Sequence, residues 1–145
     1  QAQSANSMSG TNVTNLIPVI TPSSSSNKIL VTVSVHLSSS AASGTADFDK
    51  GFKLHRSGTA IATGASAGSR TLLTAMQHHT NKDGQGNMSM TFLDSPSTTS
   101  QIDYSIRLWN GAGGTYTMFV NRGSDGDSAD TGRTISTITL MEIAG

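Results

Sequence analysis

Arg133-Thr-Ile-Ser-Thr-Ile-Thr-Leu-Met-Glu-Ile-Ala-Gly145 is the stretch that decides the fold class of this chain. Side chains alternate between the two faces of a β-strand with a period of two residues. The two faces would carry different apolar residues: Ile135 and Met141 on one, Ile138 and Leu140 on the other. Apolar residues on both faces are typical of a strand that is buried on both sides. Because a two-layer domain usually covers one face of each sheet, we expect the second face to pack against another copy of the chain.

The composition favours one β-rich domain. A chain of 145 residues is long enough to bury a core as a single domain. Strong helix formers are sparse, and the larger apolar residues are mostly Ile, Leu and Val, which favour strands. The sequence has no cysteine, so disulfides and thiolate chemistry are excluded. The net charge of +0 gives no reason to expect nucleic acid as a partner, and no apolar run has membrane length.

Alternation of apolar and polar residues predicts about eight or nine short strands and no helix. The clearest examples are residues 29–37 and residues 102–109, where every second residue is apolar. Turn-forming residues separate the strands at short intervals, which is typical of antiparallel two-sheet folds. We therefore expect an antiparallel β-sandwich or jelly roll over residues 12–145, after a flexible lead-in or linker over residues 1–11. The strand order stays open at this point.

Three segments have weaker patterns. Pro18 lacks an N–H group, so an irregular apolar strand over residues 12–21 would lie at a sheet edge or carry a bulge. Residues 71–76 are predicted to form a further apolar strand. The residues that follow, 78–85, are mainly polar and are predicted to form a loop.

Six blocks of the sequence, taken in order, resemble a domain found at the ends of tail-fibre and other virion proteins of tailed bacteriophages, notably marine and cyanobacterial phages. The blocks are Thr21-Pro-Ser-Ser-Ser-Ser-Asn-Lys-Ile-Leu-Val31, Arg56-Ser-Gly-Thr-Ala-Ile61, Gly68-Ser-Arg-Thr71, Phe92-Leu-Asp-Ser-Pro-Ser-Thr-Thr-Ser100, Val120-Asn-Arg122 and the terminal Arg133 to Gly145. Together they span most of the chain. The resemblance implies a trimeric jelly roll of the tumour-necrosis-factor-like type, placed at the tip of a fibre and lacking a fixed catalytic motif.

The resemblance implies a structural protein of the virion surface. The leading expectation is a homotrimeric tail-fibre tip that binds a receptor on the host cell, either a glycan or a protein, for adsorption. The alternative is a capsid decoration or cement protein that binds the major capsid protein and stabilises the phage head. A third class, a secreted lectin-like or cell-surface module of a bacterium, also fits a small β-sandwich. We expect no cofactor, no nucleic-acid partner and no membrane insertion in any of these cases.

Aromatic residues mark the first candidate site. Trp109, followed by Asn110, would lie opposite the apolar face of its strand, and sugar rings stack their C–H faces on such aromatic side chains. Phe119 would likewise point outward from the next strand and could share that face. An outward aromatic residue in an oligomer is also typical of an interface. Phe119, Ile138 and Leu140 are the predicted interface residues of the trimer.

An acidic loop forms the second candidate site. Asp125, Asp127 and Asp130 place three carboxylates within six residues, and calcium prefers oxygen-rich loops of this kind. The twelve-residue EF-hand pattern is absent, so a solvated acidic turn is the simpler interpretation. The polar, charged side chains of the loop also suit the recognition of hydroxyl groups, so these aspartates are predicted ligand-binding residues. His78 and His79 are adjacent and would point in opposite directions in a strand, which does not favour a shared metal. We expect no bound metal.

Catalytic motifs are absent from the sequence. It contains neither the Gly-x-Ser-x-Gly pattern nor the His-Glu-x-x-His pattern. Glu142 is the single glutamate, so a carboxylate pair for glycoside cleavage would have to come from aspartates on separate loops. We therefore expect a protein that is not an enzyme.

Overall fold

The computed structural model describes residues 2–5, 12–40, 48–79, 84–111, 116–124 and 132–145. These residues form ten β-strands and no helix. In chain order the strands are β1 (Ala2–Ala5), β2 (Val19–Ile20), β3 (Lys28–Ser40), β4 (Phe48–Arg56), β5 (Thr59–Ile61), β6 (Ala75–His79), β7 (Gly86–Asp94), β8 (Ile102–Asn110), β9 (Tyr116–Val120) and β10 (Thr137–Ile143). They make two antiparallel sheets around a shared core, so the prediction of an all-β sandwich is confirmed.

The first sheet is built around β3. One edge of β3 pairs with β7, and the other edge pairs with β10 and then with β9, to which β1 is added. The second sheet is built around β8 and β4, which pair with each other. Strand β2 pairs with β8, while β5 and β6 pair with different parts of β4. Strand β1 lies within the stretch that the sequence suggested as a lead-in.

The core lies between the two sheets and is formed by every second residue of their central strands. The buried apolar side chains of these strands are Ile29, Val31, Val33, Val35 and Leu37 of β3, Phe52 and Leu54 of β4, Ile102, Tyr104, Ile106 and Leu108 of β8, and Met118 and Val120 of β9. Burying one large apolar side chain contributes about 1.5–3 kcal/mol. The period-two pattern that predicts the strands is thus also the pattern that fills the core.

Strand β6 lies further along the chain than the sequence predicted. It spans Ala75–His79, so it includes two residues of the predicted polar loop, whereas residues 71–73 lie outside any strand. The prediction was wrong here because pairing with β4 decides which residues become strand. That pairing brings His78 beside Asp49, with His78 Nδ1 2.9 Å from Asp49 Oδ1.

The terminal strand begins at Thr137, later than the sequence predicted. Residues just before it form hydrogen bonds with the turn after β9: the backbone N of Thr134 donates to Asn121 O at 3.2 Å. Ser136 Oγ donates to Asn121 Oδ1 at 2.5 Å and accepts from His36 N at 3.0 Å. Asn121 has a positive φ of 65°, which Asn tolerates better than most residues. Strand β10 pairs with β3 as far as Ser34, and β9 pairs with it from Leu37. Ser136 supplies a hydrogen-bond acceptor to His36, which lies between these two paired segments.

A buried polar cluster joins the two sheets at one end. Asp94, at the end of β7, accepts from Arg56 Nη1 at 2.9 and 2.8 Å through its two carboxylate oxygens. The same carboxylate accepts from the Tyr104 hydroxyl at 2.6 Å. Tyr104 is fully buried, and burial, followed by the nearby Asp94 carboxylate, raises the pKa of its phenol. Because β4 and β8 belong to the second sheet and β7 to the first, this cluster fixes one sheet against the other.

A second polar contact fastens the terminal strand to the loop before β3. Glu142 Oε1 accepts from Ser23 N at 2.6 Å, from Ser23 Oγ at 2.9 Å and from Asn27 Nδ2 at 2.7 Å. The hydrogen bond from Asn27, with those from Ser23, lowers the pKa of Glu142. The carboxylate therefore holds the loop in one conformation and holds β10 against β3.

Candidate functional site

The outer face of the second sheet carries the only tryptophan of the chain. Antiparallel pairing places Trp109 of β8 opposite Gly51 of β4, which in turn lies opposite Met76 of β6. The next row along the sheet contains Asp49 and His78, which are also paired. We call this surface the tryptophan face. It consists of Asp49, Gly51, Lys53, Met76, His78, Arg107, Trp109 and Gly111.

Two glycines give the Trp109 ring its position. A Cβ atom on Gly51 would lie 3.4 Å from Trp109 Cε3, and one on Gly111 would lie 3.0 Å from Trp109 Cη2. The indole therefore rests against backbone that has no side chain, and it remains partly exposed. The Gly51 position is also crowded by Leu73 Cδ1, at 2.9 Å from such a Cβ, so Leu73 and the indole pack over the same glycine. A glycine inside a strand is typical of a site where another group approaches the backbone closely.

A carboxylate and an imidazole lie beside the tryptophan. Asp49 Oδ1 and His78 Nδ1 are 2.9 Å apart, and the two side chains are 36% and 57% exposed. Gly111 N donates to the backbone oxygen of Asp49 at 2.9 Å, which fixes the end of β8 to β4. This end of the face thus offers an oxygen acceptor and a ring nitrogen to solvent, next to an aromatic surface.

Two cations occupy the other side of the tryptophan. Lys53 and Arg107 are paired across β4 and β8, one row from Gly51 and Trp109. Arg107 Nε donates to Asn12 Oδ1 at 3.0 Å, which orients the guanidinium. Neither cation takes part in an ion pair within the part of the chain that the structure describes. Burial, then the positive charge of Arg107 and more weakly that of Lys53, lowers the pKa of the neighbouring His55.

The outer face of the first sheet has a different chemistry, and we call it the uncharged face. Three rows cross β10, β3 and β7: Met141, Leu30 and Leu93; Thr139, Thr32 and Thr91; Thr137, Ser34 and Ser89. None of these nine side chains is charged. The first row is apolar, and its outer members, Met141 and Leu93, are 55% and 46% exposed.

The predicted site residues do not lie together. Asn110 is fully buried and is paired with Lys50, so it lies on the inner face of β8 while Trp109 lies on the outer face. Trp109 and Phe119 do not share a face either, because β8 and β9 belong to different sheets. Phe119 is 6% exposed, and its ring lies 4.3 Å from the guanidinium carbon of Arg122.

The predicted interface residues of the terminal strand face inward. Ile138 and Leu140 pack, partly buried, against the core of the same chain. The exposed apolar residues of this region are Met141 and, before the strand, Ile135, which is 76% exposed. Asp125, Asp127 and Asp130 lie outside the described residues. Within the described residues, no three side chains of His, Asp or Glu are grouped closely enough to hold a metal ion.

Sequence reasoning identified Trp109 but missed its neighbours. Asp49 and His78 are 29 residues apart in the chain, and only the pairing of β4 with β6 brings them together. Gly51 was the available signal, since a glycine inside a predicted strand is typical of a position where another group approaches the backbone closely.

Comparison with known proteins adds no family assignment: no protein-family model matches the chain, and no curated protein matches it. Among the described residues, no helix is long and apolar enough to cross a membrane.

Proposed function

We propose that the chain is a non-catalytic, homotrimeric recognition module at the surface of a phage virion, where it forms a tail-fibre tip that binds a receptor on the host cell. The observation that carries this proposal is the contrast between the two outer faces of the sandwich. One face is uncharged, and the other presents an aromatic ring among charged groups. The uncharged face is the surface that copies of the chain share, and the tryptophan face is directed toward the receptor.

The chemistry of the uncharged face supports self-association. Charged residues are depleted from the centres of protein interfaces, and three strands of this face carry none over three rows. Its exposed apolar row, with Leu30, Leu93 and Met141, provides the apolar area that association would bury. A stable interface buries about 800 Å² on each partner, so the contact would extend beyond these nine residues to the neighbouring exposed Ile135.

The connections between strands support the jelly-roll form of the sandwich. The chain changes sheet at six connections: β1 to β2, β2 to β3, β3 to β4, β6 to β7, β7 to β8 and β8 to β9. Only the β4–β5–β6 segment stays within one sheet over three strands. Frequent crossing between two antiparallel sheets is typical of jelly rolls, an architecture that also fits the resemblance to phage fibre domains.

A matched pair of variants tests the trimer. Met141 and Val19 are 55% and 56% exposed, both on strands, but only Met141 lies on the uncharged face. Light scattering of the purified chain should give a trimer mass, Met141→Lys should give a monomer that remains folded, and Val19→Lys should remain trimeric. A wild-type chain that stays monomeric at tens of micromolar, or a trimeric Met141→Lys variant, would contradict the proposed surface.

A binding experiment separates the fibre from the capsid. The fluorescently labelled wild-type chain should bind host bacterial cells, because three weak sites on one particle gain affinity through multivalency. Isolated phage capsids that lack the decoration layer serve as the comparison. Saturable binding to capsids without binding to cells would replace the receptor-binding proposal with a capsid decoration protein.

A further inference from the structure

We propose that the tryptophan face contains a subsite for an acidic pyranose, a hexuronate residue of a surface glycan, with Trp109 under the sugar ring and the Lys53–Arg107 pair at its carboxylate. This inference rests on the proposed receptor-binding function and specifies the class of ligand. Its basis is the order of chemical groups along the face: two cations, then the indole, then a carboxylate with an imidazole.

The indole provides the platform for the ring. Trp109 lies against Gly51 and Gly111, so no glycine side chain separates the ring from the backbone beneath it. The ring is partly open to solvent. Aromatic rings held in this way bind the apolar C–H face of a pyranose. Leu73, which packs over Gly51, and the exposed Met76, which is paired with Gly51, add apolar area to the same face.

The two cations select for a negative charge. Lys53 and Arg107 are neighbours on adjacent strands, one row from the tryptophan. Among the described residues, Asn12 is the one hydrogen-bond partner of the Arg107 guanidinium, through Nε, and a guanidinium has four further N–H groups to donate. A guanidinium and an ammonium side by side match a carboxylate, which accepts hydrogen bonds from both.

The far end of the face determines the orientation of the sugar. Asp49, 36% exposed, repels an anion and accepts hydrogen bonds from sugar hydroxyls. A hexuronate carries its carboxylate at one end of the ring and hydroxyls at the opposite end. Its charge distribution therefore complements the face in one orientation, with the carboxylate toward Lys53 and the hydroxyls toward Asp49.

Intrinsic fluorescence reads this subsite directly, because Trp109 is the only tryptophan in the chain. The purified trimer is titrated with methyl β-D-glucuronide and methyl β-D-galacturonide, and with the matching neutral glucoside and galactoside. At least one uronide should change the Trp109 emission at a concentration about fivefold lower than its neutral counterpart. Because the preference is electrostatic, raising the salt concentration should reduce it.

Two variants decide whether the cations cause the preference. Lys53→Met should lower affinity for the uronide about fivefold and leave the response to the neutral glycoside unchanged. Asp103→Asn, on the same outer face of β8 but far from the tryptophan, is the matched control and should behave as wild type. Equal responses to uronide and neutral glycoside, no response to either, or an unchanged preference in Lys53→Met would overturn the subsite.

The outcome is distinguishable from failure of receptor binding itself. A chain that binds host cells equally well as wild type and as Lys53→Met, with no fluorescence response to uronides, would retain the proposed function and lose the subsite. A chain that prefers uronides in solution and does not bind host cells would retain the subsite and lose the proposed function.

Discussion

Replacing Asp94 by alanine should strongly destabilise the fold, because Asp94 holds the buried cluster between the sheets. The change leaves the fully buried Tyr104 hydroxyl without its acceptor, at a cost of about 1–3 kcal/mol. Arg56 is 29% exposed, so the loss of its ion pair adds no more than about 1 kcal/mol. We therefore expect a total loss of about 1–4 kcal/mol, a substantial part of the roughly 5–15 kcal/mol that stabilises a domain.

Urea unfolding at a fixed protein concentration, followed by circular dichroism and by Trp109 fluorescence, measures this loss. Asp103→Ala is the control, since Asp103 neighbours Tyr104 in β8 but lies outside the cluster. Adding Tyr104→Phe to Asp94→Ala removes the orphaned hydroxyl, so the double variant should be at least as stable as Asp94→Ala alone. A loss below about 0.5 kcal/mol in Asp94→Ala, the range of an ordinary surface change, would refute the role assigned to the cluster.

Three further predictions concern pH and packing. Because burial raises the pKa of Tyr104 above its ordinary 10.0, its contribution is complete below pH 10 and is lost as the pH rises further, so Tyr104→Phe should flatten the alkaline end of a stability–pH curve. Hydrogen bonds lower the pKa of Glu142 below its ordinary 4.5, so its contribution is complete above that pH and is lost as the pH falls; Glu142→Gln should flatten the acid end of the same curve. Gly51→Ala would place a methyl group 2.8 Å from the backbone oxygen of Ala75, and thermal melting should show a loss of about 1–3 kcal/mol without loss of the fold; an unchanged melting temperature would contradict the close packing over Gly51.

The central strands were predictable from the sequence, because alternation with a period of two is a local property of the chain. The alternation predicts which side chains of β3 and β8 form an apolar face, and in the structure those side chains are the largest part of the buried core. The same rule also places Asn110 on the inner face, two residues after Leu108, although the sequence interpretation grouped Asn110 with Trp109 as a ligand-binding residue. Strict use of the alternation would have separated the two.

Features that depend on pairing between distant strands were not predictable. The extent of β6, and with it the contact between Asp49 and His78, is decided by the register against β4. Ile138 and Leu140 face inward because the register of β10 places them beside the buried Val33 and Val31 of β3. The sequence could not predict this direction, because both faces of β10 carry apolar residues. A single sequence contains no local signal that chooses between the two faces.

The position of β3 at the centre of the first sheet has a consequence for how the chain folds. Its partners β7 and β10 come much later in the sequence, and the Ser23–Glu142 contact that fastens β10 joins residues 119 apart. Chains with so many non-local pairings fold slowly, on the order of milliseconds to seconds. Until β7 and β10 have been synthesised and have paired with it, β3 is a thirteen-residue strand with two unpaired edges and an apolar face. Segments of this kind initiate aggregation. Production of the chain should therefore depend on slow synthesis, low temperature or chaperones more than its modest size would indicate.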